Sequence, residues 1–228
     1  LLLHNNRDGT FTDVAPALKV TNPEGRSLGG LWHDFDADGW LDIVMVGFPG
    51  AKGEWFKNPG PTDGPWKRHL ILDGVDDESP LFVDLSGDGK PELVFAHEGR
   101  MGWASPNADP AQPWTWHVAT ADMKFQRFTH GLGVGDIDGD GRADIIERTG
   151  WWSQPPTLGP EWKRHAFDFG DRRGGAQMFA YDVDGDGDND VISSLDAHGF
   201  GLSWFEQQLQ QGKIGFVEHR IMDAVPGT

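Results

Sequence analysis

Four short apolar runs recur along the chain: LDIVMV (41–46), ELVFA (92–96), ADIIE (143–147) and NDVIS (189–193), each opening at the end of a turn rich in Asp and Gly. They are too short for helices and apolar on both faces, which predicts strands packed between neighbouring sheets. An aromatic turn follows each run: GEWFKNPG (53–60), GWASPN (102–107), GWWSQPP (150–156) and LSWFEQ (202–207). Then comes a segment that alternates polar and apolar residues around a histidine: WKRHLIL (66–72), WTWHVAT (114–120), WKRHAFDF (162–169) and FVEHRIM (216–222). With the segment entering each Asp turn, every unit reads as strand, Asp loop, buried strand, aromatic strand and outer strand.

The Asp loops begin at Asp34, Asp84, Asp136 and Asp182, so the unit repeats every 50, 52 and 46 residues. A repeat of about 40–50 residues made of short strands indicates propeller blades. The expectation is an all-β protein, a β-propeller of four-stranded blades, with repeats over 27–73, 78–120, 130–169 and 176–222. Residues 1–20 read as the last two strands of an earlier blade. Four and a half blades do not close a ring and would leave bare strand edges, which predicts one domain belonging to a longer, seven-bladed propeller.

Eleven tryptophans sit mostly at repeat-related positions. Trp55, Trp103, Trp152 and Trp204 either fill the space between splayed blades or offer a stacking platform for sugars; one copy per repeat favours packing. His69, His117, His165 and His219 also recur in register, which favours a structural hydrogen-bonding role.

The formal charge of −17 argues against a nucleic-acid partner, whose phosphates are neutralised by Lys and Arg. Much of that charge is concentrated in the loops. No run approaches the roughly 18–20 apolar residues of a membrane-spanning helix. The absence of cysteine removes disulfides and Cys-ligated zinc.

In a loop D-x-D-x-D-G-x-x-D, side chains 1, 3 and 5 converge on a cation, Gly at 6 permits the turn, and a carbonyl at 7 and carboxylate at 9 complete the shell. The expected calcium ligands are therefore Asp34, Asp36, Asp38, Trp40 and Asp42; Asp84, Ser86, Asp88, Lys90 and Glu92; Asp136, Asp138, Asp140, Arg142 and Asp144; and Asp182, Asp184, Asp186, Asp188 and Asp190. Trp40, Lys90, Arg142 and Asp188 enter by their carbonyls. The loop at Asp84 has one carboxylate fewer and should be the weakest of up to four sites. Asp136 to Glu147 also match the EF-hand pattern D-x-[DN]-x-[DN]-G-x5-E. The flanks carry Gly and Pro instead of amphipathic helices, and Met45, Phe95 and Ser193 stand where Glu147 does, so Glu147 is not expected to bind calcium. Loops of this kind are usually filled where Ca2+ is millimolar, which predicts an extracellular, periplasmic or cell-surface setting.

These loops and their spacing resemble the FG-GAP/VCBS repeats of integrin-type β-propellers over about residues 1–222. The resemblance implies Ca2+ in the blades and functions ranging over adhesion, lectin and polysaccharide-lyase activity. The WFxNP and GWW turns are more weakly similar to the propellers of aldos-2-ulose dehydratases, and fold alone assigns no chemistry.

At ~3.3 Å per residue, strands of about five residues place the opposite end of each hairpin ~15–17 Å from the ion. Residues there break the repeat. His97, His130 and His198, with Glu147 and Arg148, are candidates for catalysis; Arg26, Glu98, Arg100, Arg127, Arg172, Arg173 and Asp196 are candidates for ligand binding. Histidine there could serve as a base with arginine stabilising an enolate or uronate, and three histidines with a carboxylate could hold a transition metal. Ordinary loop polarity is the competing explanation. The expected function is a calcium-stabilised extracellular propeller binding a glycan, sugar or protein; the alternative is a sugar lyase or dehydratase acting by elimination.

Overall fold

The computed structural model describes residues 3–7, 10–18, 29–62, 64–109, 111–160, 162–170 and 175–223. Two compact units are present, one of residues 1–75 with 106–115, the other of residues 76–105 with 116–228.

The first unit begins with a hairpin of β1 (Leu3–Asn5) and β2 (Phe11–Asp13), followed by one helical turn at Ala15–Leu18. Its four-stranded sheet is an antiparallel meander of β3 (Gly29–His33), β4 (Asp42–Val46), β5 (Ala51–Lys57) and β6 (Lys67–Val75). Ile43 and Phe56 pack there with Met45 and Trp66.

Three more meanders follow: β7 (Leu81–Val83), β8 (Glu92–His97), β9 (Arg100–Ser105) and β10 (Thr115–Val118); β11 (Leu132–Gly135), β12 (Asp144–Glu147), β13 (Gly150–Ser153) and β14 (Lys163–Ala166); β15 (Met178–Tyr181), β16 (Asp190–Ser194), β17 (Leu202–Gln210) and β18 (Lys213–Met222). These are the four-stranded blades anticipated from the repeat. The second strand of each blade is the apolar run, and β8 and β12 are buried along nearly their whole length because neighbouring sheets cover both faces.

The first strands of successive blades stand side by side in the second unit, β11 lying between β7 and β15. Isolated parallel bridges join Asp77 to Thr129 and Leu132 to Gln177. Gly133 permits this approach, since a Cβ there would meet the backbone oxygen of Met178 at 2.8 Å. Apolar clusters fill the inter-blade spaces. Leu85, Val94, Met101 and Trp103 meet Leu132, Ile145, Trp152 and Trp162 in one; Ile146, Trp151 and Phe169 meet Met178, Val191 and Phe205 in the next.

Every aromatic strand places a tryptophan against the histidine of the outer strand. Trp55 stacks on His69, Trp103 on His117, Trp151 on His165 and Trp204 on His219, with ring centroids 3.9–4.9 Å apart and planes within 24° of parallel. In the third blade the stacked residue is Trp151, directly cross-strand from His165, while Trp152 turns to the opposite face and the neighbouring blade. Trp55, Trp103 and Trp152 are buried, so they pack and do not offer sugar platforms.

Candidate functional site

The four Asp loops share one hydrogen-bond scheme. Asp84 accepts the N–H of Gly87 and Asp88 on Oδ1 and that of Gly89 on Oδ2, at 2.8–3.1 Å. Asp34, Asp136 and Asp182 do the same with small variations. The fifth carboxylates, Asp38, Asp88, Asp140 and Asp186, accept the N–H groups of Trp40, Lys90, Arg142 and Asp188. Gly39, Gly89, Gly141 and Gly187 take φ between 84° and 102°, the left-handed turn for which position 6 needs glycine.

The ninth carboxylates are buried anchors. Asp42, Asp144 and Asp190 each bind two backbone N–H groups, one from the second loop residue (Phe35, Ile137, Val183) and one from the third residue after the stacked tryptophan (Asn58, Gln154, Gln207). Glu92 instead receives Leu85 N–H, Ser86 N–H and the Ser86 hydroxyl. Burial pushes Asp42 and Glu92 above the usual carboxylate range and Asp144 to about 7.

Acidic oxygens within 4.8 Å of one another come from Asp34, Asp36 and Asp38; Asp84, Asp88 and Glu92; Asp136, Asp138 and Asp144; and Asp182, Asp184 and Asp186. These all-oxygen sets fit Ca2+. The Oδ1 atoms of Asp36 and Asp188 are buried without hydrogen-bond partners among the described residues. Burial raises the Asp138 and Asp184 carboxyls, with repulsion from Asp140 and from Asp186, Asp190 and Glu206 adding to it, as expected of oxygens packed where a cation would join them.

The loops differ in how they balance charge. In the first, the Lys57 ammonium binds both Asp36 and Asp38, so a side chain occupies the loop mouth. In the third, Arg142 reaches Asp140. The fourth has no such cation among the described residues and adds Glu206 to its field. Lys57 and Glu206 stand two residues beyond the stacked tryptophan, where the middle blades carry Ser105 and Ser153. Ser105, Ser153 and Glu206 pair with Nε2 of His117, His165 and His219, whereas His69 Nε2, whose counterpart Lys57 has turned to the loop, has no hydrogen-bond partner among the described residues.

The non-recurring histidines separate into two groups. His130 and His198 meet, Nε2 to Nε2, at 3.0 Å with rings nearly perpendicular. His130 Nδ1 faces Glu78 Oε2 at 3.3 Å. This arrangement assigns the His130 proton to Nδ1, directed at Glu78, and leaves its Nε2 to accept from His198 Nε2–H. His97 does not join them. Its Nδ1 lies 4.0 Å from Asp76, and its ring meets the Trp116 face edge-on. Glu98 N–H and the Arg127 guanidinium also approach Asp76. The three-histidine cluster is thereby corrected to two histidines and a glutamate.

Beside that pair opens a cleft of about 600 Å³ lined by Met123, Lys124, Phe125, Gln126, Phe128, Thr129, His130, Glu147, Arg148, Thr149 and His198. Glu147 borders it, but only 3% of the residue is exposed, and its carboxylate accepts Thr149 N–H (2.8 Å) and the Thr149 hydroxyl (2.7 Å), with Arg164 3.7 Å away. It braces the turn after β12 instead of serving as an available base. Asp196 accepts His198 N–H and holds that loop. Arg100 pairs across the turn with His97 and does not line the cleft. Arg26, Arg172 and Arg173 lie outside the described residues. Glu78 escaped the sequence reading because it stands at the very start of the second repeat, ahead of its first strand; its signal is the acidic run Asp76-Asp77-Glu78, which follows no loop pattern.

An FG-GAP-like repeat model matches residues 34–95 and 84–147, together half of the chain. The chain belongs to the FG-GAP-like repeat family. Among curated proteins, human (Homo sapiens) cartilage acidic protein 1 is 27% identical over 173 residues, 64% of this chain and 23% of that protein. The chain thus spans less than a quarter of the curated relative's length. Among solved structures, an Agrocybe aegerita lectin described as recognising non-reducing terminal N-acetylglucosamine superposes with a TM-score of 0.51 at 20% identity, over 94% of this chain and 58% of the lectin. The V. cholerae biofilm matrix protein Bap1 aligns at a TM-score of 0.41 and 16% identity, over 78% of this chain and 34% of that one. The lectin match supports the propeller fold of these FG-GAP-like repeats.

Proposed function

We propose that the chain is the ligand-binding propeller of an extracellular, calcium-stabilised protein, and that a carbohydrate binds in the cleft beside His130 and His198. The observation that carries this reading is the cleft itself: polar hydrogen-bonding groups converge beside the exposed Phe128 ring, the combination that a sugar's hydroxyls and apolar face require. The lectin of similar fold supports a glycan ligand, and the cartilage protein supports an extracellular setting. No helix of the described residues is long and apolar enough to cross a membrane. Calcium bound by the Asp loops would tie the first two strands of each blade and stabilise the folded state by linkage.

The test is a glycan panel probed in millimolar calcium. The expected result is binding that Phe128→Ala and His198→Ala abolish while thermal stability is kept. Retention of binding by both variants would place the ligand elsewhere.

The paired histidines support a second reading, elimination on a keto-sugar or uronide. His130, with its proton held on Nδ1 toward Glu78, has the orientation of a general base once its Nε2 exchanges His198 for a substrate proton. His130, His198 and Glu78 also form a donor set suited to a transition metal, which would polarise a carbonyl when bound. Ultraviolet absorbance of an unsaturated product, seen with the wild type and lost in His130→Ala, would favour the enzyme.

A further inference from the structure

We propose that the cleft selects an anionic carbohydrate, a sugar bearing a carboxylate, through Arg148 and Lys124. This inference rests on the carbohydrate reading of the cleft and adds the charge class of the ligand. Chain and cleft have opposite character. The protein carries a formal charge of −17, yet among the described residues the only acidic one lining the cleft is Glu147. Its carboxylate is buried, saturated by Thr149 and faced by the Arg164 guanidinium at 3.7 Å. Glu78, behind His130, is likewise engaged.

Arg148 and Lys124 line the same cleft, and neither has an ion pair among the described residues. Arg148 is partly buried, and a guanidinium without an ion pair gains from an anionic partner. A guanidinium fork matches a carboxylate in two parallel hydrogen bonds, the geometry of a uronic acid's C6 group.

The backbone supplies an independent observation. Lys124 has φ of 57°, a left-handed conformation that costs a non-glycine residue energy. Its N–H donates to Asp122 Oδ1 (2.9 Å), while Met123 and Phe125 N–H groups both donate to Gly99 O (3.0 and 3.3 Å), which over-determines the turn. The strain is held on the segment that carries Lys124 and Phe125 to the cleft. Phe128, exposed beside them, offers the ring for the sugar face.

The experiment compares matched probes on the full chain in saturating calcium: methyl glycosides of glucose and galactose against the corresponding uronides, by isothermal titration calorimetry at low and high salt. A uronide should bind about 10-fold or more tightly than its neutral counterpart, as a charged hydrogen-bonded pair supplies. The advantage should shrink with salt and disappear in Arg148→Gln. Arg148→Lys, which keeps the charge, should restore part of it, and this guards against a variant that fails to fold. Equal affinity for both members of each pair overturns the anionic class, and a preference that survives Arg148→Gln overturns the assignment to Arg148; either leaves the carbohydrate reading standing. Stronger binding of 6-sulfated glycosides than of uronides overturns the carboxylate assignment. Binding of none of these sugars overturns both readings together.

Discussion

Asp77 offers a sharp test of how burial sets the stability of the second unit. The side chain is fully buried on the segment that enters β7; Ser79 N–H donates to its Oδ1 at 2.8 Å, and Oδ2 has no hydrogen-bond partner among the described residues. Burial dominates and pushes the carboxyl up to about 7, against a smaller opposing pull from the Ser79 N–H. The unfolded chain ionises near 3.9. At low pH both states hold the proton and Asp77 costs nothing. Between about 4 and 7 the unfolded state gives up its proton while the folded state keeps it, so stability falls by about 1.4 kcal/mol per pH unit. Above 7 both states are ionised and the loss levels off near 4 kcal/mol.

Asp77→Asn removes this titration and keeps the shape and the acceptor for Ser79. Relative to wild type, the variant should gain about 3 kcal/mol of stability between pH 5 and pH 8. Urea denaturation midpoints at the two pH values, in saturating calcium with the slope held common, measure the gain. A stability difference between variant and wild type that stays constant from pH 5 to pH 8 would refute the reasoning, because it would mean that Asp77 ionises alike in both states.

Two further outcomes follow from the repeated scaffold. Lys57→Ser puts at that position the residue found in the two middle blades and frees Asp36 and Asp38 for a cation; calorimetric calcium titration should show an added or tighter site, and a chelator should lower the melting temperature more than in wild type. An unchanged titration would show that the ammonium does not compete with calcium. Trp151→Ala removes a ring that is 1% exposed and lies 3.9 Å from the His165 ring, and should cost about 3–5 kcal/mol in urea denaturation. Trp152→Ala should cost a similar amount by emptying the other inter-blade space; a loss below about 1 kcal/mol for either would contradict the packing role.

The division between what could and could not be read from the sequence follows from the range over which each feature is encoded. An Asp loop is complete within nine residues, its turn made by its own glycine and its own backbone N–H groups, so its pattern survives without tertiary context. Four copies at near-equal spacing mark the blades, but in GWW spacing does not tell which tryptophan meets the histidine: Trp151 stacks on His165, and not Trp152. The cleft has no such local signature. His198 and His130 are 68 positions apart and meet only because β11 lies beside β15, and Glu78 reaches them from the segment before β7, outside the recurring motifs. Failure to recur grouped His97 with them, but its ring lies against Trp116, with Asp76 4.0 Å away.

Glu147 shows the same limit from the other side. Its position matches the twelfth residue of an EF-hand, yet β12 has by then carried the chain to the far end of the hairpin, where Thr149 and not a cation saturates the carboxylate. Lys57 and Glu206 were legible in principle. Both stand two residues after the stacked tryptophan, where a serine in the middle blades pairs with the outer histidine, so a charge there must change the field of the adjacent Asp loop. A cation lowers that loop's demand for calcium and an anion raises it. On that basis the first loop, and not only the carboxylate-poor second one, should be the weak calcium site, and the fourth should fill first.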